Sequence, residues 1–424
     1  MKRILSLTLA FSLATILFAR STDEAGTPYR GWKKGEMDIH HIYTGRGEAN
    51  FYIFPDGTSM LIDTGDHLAS VPMTDPKPDL SRRAGEWVSR YILRTNPYGN
   101  KVDYLMVSHF HDDHMGSVTL DAPTTENRTP NYKLIGIAEV GEHIQFKHFI
   151  DRGYPDYNYP VPISDAHIRN YRNFAEWHKQ KYGAEQVPFE VGALNQIALQ
   201  KRPKKYASLF SIRNLAANGE VWNGNGTTRY YDLNPKNTAG SGNENTKSIA
   251  FRIQYGPFSY FAGGDLSGSV LNAEGKPVNL EEKAGEACGE VDVCKCNHHA
   301  YKDAMHPGFL SHVHAQAYVI PVWDQFHTQE GIIKRMLQQE ETTGTTLRNA
   351  HPTLVLSQYI VAPARQKFAA EEWMQKTCPH DGHIVIKVYD KGRKYKIYRL
   401  SAENEDMIIQ KVYGPFQSKG HTGL

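Results

Sequence analysis

Between Phe51 and Asp63 two β-rich runs flank Pro55-Asp56-Gly57-Thr58, where Asp-Gly supplies the positive φ that a tight hairpin turn needs. The pattern predicts a β-hairpin ending at Asp63-Thr64-Gly65-Asp66. Ala84, Trp87, Val88, Tyr91 and Ile92 then recur at helical spacing until Asn96-Pro97 stops them. A strand over Val102 to Ser108 follows and runs directly into His109-Phe110-His111-Asp112-Asp113-His114-Met115-Gly116.

From about Lys147 to Lys205 the character changes: Tyr and Pro are frequent, a helix is expected around Tyr171 to Tyr182, and Lys201-Arg202-Pro203-Lys204-Lys205 is basic. This stretch reads as an insertion. After the Gly/Asn-rich segment Gly219 to Asn245, alternation at Ile249, Phe251, Ile253 and Tyr255 marks a strand, Gly256-Pro257 turns, and Phe258 to Ala262 lead into Gly263-Gly264-Asp265. Val291 to Cys296 forms another short strand before Asn297-His298-His299. A helix near Gly331 to Gln339 and a closing hairpin across Ile384 to Tyr398, turning near Asp390-Lys391-Gly392, complete the pattern. Strands dominate both ends with helices between them and no repeat of fixed period, which predicts two sheets with helices outside.

Composition changes this picture only in part. The 424 residues, 40% of them hydrophobic, suit one elaborated α/β domain or two to three smaller ones. With 48 Lys plus Arg against 46 Asp plus Glu, bulk charge does not draw the chain to nucleic acid or anionic membrane, so such a partner would have to be bound locally. The basic start and the apolar run Ile4 to Ala19 read as a secretory signal peptide over residues 1–19, not a stable membrane anchor. Its removal takes Lys2 and Arg3 and brings the formal charge from +2 to 0. Secretion or a periplasmic location is therefore expected. The four cysteines, Cys288, Cys294, Cys296 and Cys378, allow at most two bridges of unreadable pairing. Asn127-Arg128-Thr129 and Asn225-Gly226-Thr227 are glycosylation sequons that matter only in a eukaryotic host.

Three histidines and two aspartates stand within positions 109 to 114. His109 and His111, two apart as a strand ends, can aim both imidazoles at one metal, while Asp113 and His114 turn toward a second. Imidazole and carboxylate together suit zinc, with manganese or iron as alternatives. Two such ions would share a hydroxide and stabilise the attacking and leaving oxygens of a hydrolysis. Asp265, after two glycines that permit close backbone approach, suits a bridging ligand, and His298 or His299 can close the second site. Cys294 and Cys296 share a strand face with His298, either as a thiolate donor or as a buried or bridged pair.

His109-x-His111-x-Asp113-His114, Asp63-Thr64-Gly65, Gly264-Asp265 and His298 together resemble the ordered motifs of the metallo-β-lactamase superfamily. The closer likeness is to the hydrolase domain of DNA-uptake competence proteins, through Gly45-Arg46-Gly47-Glu48-Ala49, Asn245 with Ser248, the strand Asp292 to His299, and Asp381-Gly382. The resemblance implies a four-layered αββα sandwich over residues 36–400, with an inserted segment at about 147–205 and a C-terminal extension over 401–424. It also implies two divalent metal ions: His109 and His111 on the first, Asp113, His114 and His298 on the second, Asp265 bridging, and Asp63 orienting a ligand imidazole. Asp113 and His299 are the expected catalytic residues, with His299 donating a proton. The first site's usual third histidine has no clear match, and His143, His148, Asp151 or none of them stands in for it. Ala300-Tyr301 replaces the branch's Gly-Ser and narrows the space for substrate. His327 is expected at the pocket edge, and Lys201 to Lys205 or Asp151-Arg152 are candidates for binding.

The leading expectation is an exported hydrolase in which a metal-activated hydroxide attacks a phosphodiester or related ester, small or polymeric. An acyl hydrolase acting on a lactone, thioester or β-lactam uses the same metals. A secreted binding protein with a degraded site is the non-enzymatic alternative. An oxygen-reducing di-iron role is disfavoured because His111 stands where that branch has a carboxylate.

Overall fold

The computed structural model describes residues 23–68, 70–231, 243–321, 327, 329–337 and 353–420. The signal-peptide expectation and the last residues of the helix near Gly331 lie outside these.

Chain order builds two sheets in turn. β1 (Met37–His41), β2 (Asn50–Ile53) and β3 (Ser59–Ile62) form a meander, and β3 continues in parallel with β4 (Lys101–Met106), β5 (Gln145–Asp151) and β6 (Glu185–Pro188). The second sheet starts with β7 (Phe210–Ala217), β8 (Glu220–Trp222), β9 (Thr227–Arg229), β10 (Ala250–Tyr255) and β11 (Phe258–Ala262). After a small ribbon of β12 (Ser269–Leu271) and β13 (Pro277–Asn279), β14 (Val293–Lys295), β15 (Ala317–Ile320) and β16 (Leu354–Ser357) join β11 in parallel. The chain then returns to the first sheet with β17 (His383–Tyr389), β18 (Lys394–Leu400) and β19 (Ile409–Gln417), giving the orders β19-β18-β17-β1-β2-β3-β4-β5-β6 and β16-β15-β14-β11-β10-β7-β8-β9.

Most central strands are buried on both faces, as sandwiched sheets require. Ile39, Tyr52, Met106, Phe251, Ile253, Val293 and Ile386 interdigitate between the sheets. The outer face of the first sheet is covered by α1 (Ala84–Thr95), the short α2 (Asp112–Met115), α3 (Gly136–Val140) and α4 (Ala166–Tyr182), through Val88, Tyr91, Ile137 and Phe174. α5 (Pro203–Tyr206) lies at the sheets' margin. α6 (Leu280–Cys288), α7 (Pro307–Val313), α8 (Glu330–Leu337), α9 (Ala362–Lys367) and α10 (Glu372–Thr377) cover the second sheet through Ala284, Phe309, Ile333 and Trp373. The layers run helix, sheet, sheet, helix: the αββα sandwich. No helix among the described residues is long and apolar enough to cross a membrane.

Both expected hairpins form. α4 begins five residues before the expected Tyr171, because Ile168 also faces the core, and ends at Gly183 in the left-handed region. The stretch 147–205 contributes most of β5 and all of β6 to the first sheet, and β19 within 401–424 is that sheet's outer strand. All four cysteines are buried free thiols.

The sheets are tied at one end by a close approach of two turns. Gly392, at φ 83°, stands where an added Cβ would lie 1.7 Å from the Tyr255 carbonyl oxygen, against the turn joining β10 and β11. Gly392→Ala is expected to destabilise the fold by about 2 to 4 kcal/mol through backbone strain and that clash, read from chemical denaturation midpoints.

Candidate metal centre

The parallel strands of both sheets end on one side of the molecule, and there the histidine motif meets Asp63, Asp265 and the His298-His299 pair. Carboxyl ends of parallel strands are where open α/β sheets place ligands, because the connections diverge there. β4 delivers His109, and α2 closes the motif with the His114 N–H donating to the His111 carbonyl at 3.1 Å. Gly47 packs beneath it, where any side chain would meet the Asp113 carbonyl oxygen at 1.7 Å.

Asp63 holds this loop. Its Oδ1 accepts the Ser108 N–H at 2.8 Å, its Oδ2 accepts the Ser108 hydroxyl at 2.5 Å, and Oδ2 faces His114 Nδ1 at 2.8 Å. With Nδ1 committed to a carboxylate, His114 turns Nε2 inward, the orienting role expected of Asp63. Asp265 donates its N–H to the Ser248 hydroxyl at 3.2 Å and places Oδ2 3.1 Å from His114 Nε2. The Nδ1–H of His299 donates to the Pro321 carbonyl at the end of β15, which turns Nε2 to 3.2 Å from Asp113 Oδ2 and 3.5 Å from Asp265 Oδ2. Ligand atoms of Asp113, His114, Asp265 and His299 thus all lie within 4.8 Å of one another, every residue buried.

The adjacent histidines face apart. His298 Nδ1 lies 2.7 Å from Asp303 Oδ1 and 3.3 Å from the Ser267 hydroxyl, on a partly exposed rim. Of the two, it is His299 that meets Asp113, His114 and Asp265, and its ring stacks on His327 at 4.7 Å and 12°. His109 Nε2 lies 3.1 Å from His111 Nδ1 and 3.9 Å from Asp265 Oδ2, so this pair flanks the four-residue group.

None of the candidates for a third first-site ligand reaches the centre. His143 is exposed. His148 stacks on Tyr104 and lies 3.2 Å from Glu185 Oε2. Asp151 accepts the Gly153 and Tyr154 N–H groups at 2.8 Å each, the Tyr157 and Tyr171 hydroxyls at 2.9 and 3.0 Å, and the Gln186 amide at 3.1 Å. Cys294 and Cys296 point into the helix-side core, Cys296 Sγ resting 3.6 Å from Met336 Sδ. Lys201 pairs with Asp103 at the opposite end of β4, and the Lys201 and Arg202 N–H groups donate to Asp56, so the basic run lies away from this face.

Sequence reasoning passed over one element. Lys295 on β14 is fully buried and donates to Glu48 Oε2 at 2.5 Å and to the Gly264 carbonyl at 2.6 Å. Glu48 N–H donates to the Asp113 carbonyl at 3.2 Å, and Glu48 Oε1 accepts the Asn50 amide at 2.5 Å. One ammonium therefore ties the segments carrying Asp113, Asp265 and His299. The signal was present as a lysine amid the otherwise apolar Val293 to Cys296.

Electrostatics and donor chemistry both fit a divalent cation. Burial alone would raise the Asp113 and Asp265 carboxyls, but His114 and His299 hold both well below the usual carboxylate range. Burial would lower the two imidazoles, yet Asp265 and Asp113 raise His114 well above its ordinary value and bring His299 to about 9. His114 Nε2 and Asp265 Oδ1, sealed from water, make no hydrogen bond. Two carboxylates, two imidazoles and orphaned polar atoms suit zinc-like coordination.

Two outcomes follow. A metal needs neutral imidazoles, so binding at pH 7 is expected to release between about one and two protons from His114 and His299, with affinity rising toward pH 9. Calorimetric binding enthalpies in buffers of different ionisation enthalpy measure this. Lys295→Met is expected to cost about 3 to 5 kcal/mol by stranding Glu48, and Lys295→Met with Glu48→Met to lose less than the sum of the singles, read by equilibrium denaturation.

No family model matches the chain, and no curated protein matches it. Among solved structures it is similar to a putative zinc-dependent hydrolase of the metallo-β-lactamase superfamily from Thermotoga maritima, with 10% identity and a TM-score of 0.26 over 70% of this chain and 80% of that one.

Proposed function

We propose that the protein is an exported metal-dependent hydrolase of phosphodiesters or related esters. The observation that carries this reading is the convergence of Asp113, His114, Asp265 and His299 in a buried group of two carboxylates and two imidazoles at the strand ends, with His109 and His111 beside it. Asp113, His114, Asp265 and His299 would hold a divalent cation, most simply zinc, which would acidify water and polarise an ester oxygen. The chain's own residues do the rest. Asp63 and the Pro321 carbonyl fix two imidazole tautomers, and the Lys295–Glu48 pair holds the loops in register. His298, held by Asp303 on the rim, is the residue we assign to hand a proton to the leaving group. The ordered motifs and the paired histidines support phosphoesters over acyl substrates.

Metal-loaded protein is expected to hydrolyse bis(p-nitrophenyl) phosphate, with Asp113→Asn lowering kcat by about a hundredfold or more and His298→Ala lowering kcat with little change in KM. Turnover of nitrocefin or a lactone with inert phosphodiesters would reassign the substrate to the acyl class. No turnover of either, unchanged by His111→Ala, would mark a binding protein.

A further inference from the structure

The two expected metal positions are unequal in the donors the chain supplies. Asp113, His114, Asp265 and His299 offer four converging ligand atoms, and among the described residues they are the group of three or more donors that does so. His109 Nε2 and His111 Nδ1 face each other at 3.1 Å, a chelating separation, and among the described residues the donors beside them are Asp265, 3.9 Å from His109, and His114, whose ring lies 4.2 Å from that of His109, both already counted in the four-residue group, with the Ser108 hydroxyl on the far nitrogen, His109 Nδ1, at 3.1 Å. The stretch after β5 offers a cation where a donor is wanted. Arg152, its side chain 1% exposed, is bound to Glu244 by Nε at 2.7 Å and by Nη2 at 2.5 Å, lies over the Phe110 ring at 4.4 Å, and also donates to Asn218. Glu244 in turn accepts the Phe110 N–H at 2.8 Å, between the two histidines. This ion pair braces the His109-Phe110-His111 backbone without offering a ligand, because the carboxylate is spent on the guanidinium and on the main chain.

We infer that the chain binds one divalent cation tightly on Asp113, His114, Asp265 and His299, and that the His109–His111 pair takes a second only when an oxyanion supplies the missing coordination. The inference rests on the proposed metal-dependent reading and adds the order of loading and a reason for preferring phosphoesters, since a phosphoryl group brings the oxygens that the second position lacks. Affinity for a cation grows with the number and fixed geometry of its donors. The second position is therefore expected to bind about a hundredfold more weakly than the first when no anion is present.

The experiment is equilibrium dialysis of the full chain, stripped with chelator, against micromolar zinc, with metal content read by mass spectrometry and folding by circular dichroism. The expected result is one zinc per chain in wild type and in His111→Ala, and near none in His299→Ala. Adding inorganic phosphate brings a second equivalent in wild type but not in His111→Ala or, as a second variant, His109→Ala. Two equivalents of equal affinity without phosphate, or loss of the first equivalent in His111→Ala, would overturn the inference while leaving a metal-dependent hydrolase intact. A second equivalent that ignores phosphate overturns the oxyanion requirement. Absence of any tight zinc overturns both readings. One zinc with no hydrolysis of any ester overturns the functional proposal alone.

Discussion

The site depends on a single buried ion pair between elements 247 residues apart in the chain. Lys295 comes from the second sheet and Glu48 from the loop joining the first two strands of the first sheet, and both are almost fully removed from water. Burying two charges costs several kcal/mol each, which is recovered only where geometry is good and the remaining donors and acceptors are satisfied. Here they are, by the Gly264 carbonyl on one side and the Asn50 amide on the other. Because Glu48 also bonds the Asp113 carbonyl through its N–H, the pair couples the docking of the two sheets to the approach of the ligand segments.

Around that tie the centre is assembled by groups that each fix one degree of freedom. Asp63 sets the His114 tautomer, the Pro321 carbonyl sets that of His299, Ser248 holds the Asp265 backbone and the Arg152–Glu244 pair braces Phe110. The result is a pocket of concentrated, opposed charge: carboxylates held ionised by imidazoles that burial alone would neutralise. Such mutual perturbation in a closed space is characteristic of sites that exchange protons for a cation.

Much of this was legible in the residue pattern. The Asp56-Gly57 hairpin, the α1 periodicity, the strand entering His109 and the alternation around Phe251 each rest on short-range physics, and each forms. The convergence of 113, 114 and 265 was equally readable, because closely spaced imidazoles and carboxylates at strand ends are brought together where the strands end. Less legible were β19, whose Gln410-Lys411 and Gly414-Pro415 suggest no core element until β18 pairs with it, and the role of 147–205, where β5 and β6 complete a parallel sheet through long-range pairing. Asp151 looked like a free donor at a strand end, and its five partners come from three separate segments.

The sequence by itself determined which chemistry is available: an ordered supply of imidazoles and carboxylates at strand ends within an αββα arrangement, since period, turn chemistry and residue type are local properties. Only the tertiary structure decided which members of that supply meet. His298 and His299 are neighbours of the same type, and the choice between them is made by backbone angles of φ 41° and 50°, which turn one ring to the rim and the other to Asp113. The meeting of Asp113, His114, Asp265 and His299 with His109 and His111 set beside them, and the ammonium that binds the sheets together, likewise arise from contacts between distant segments, which spacing along the chain does not encode.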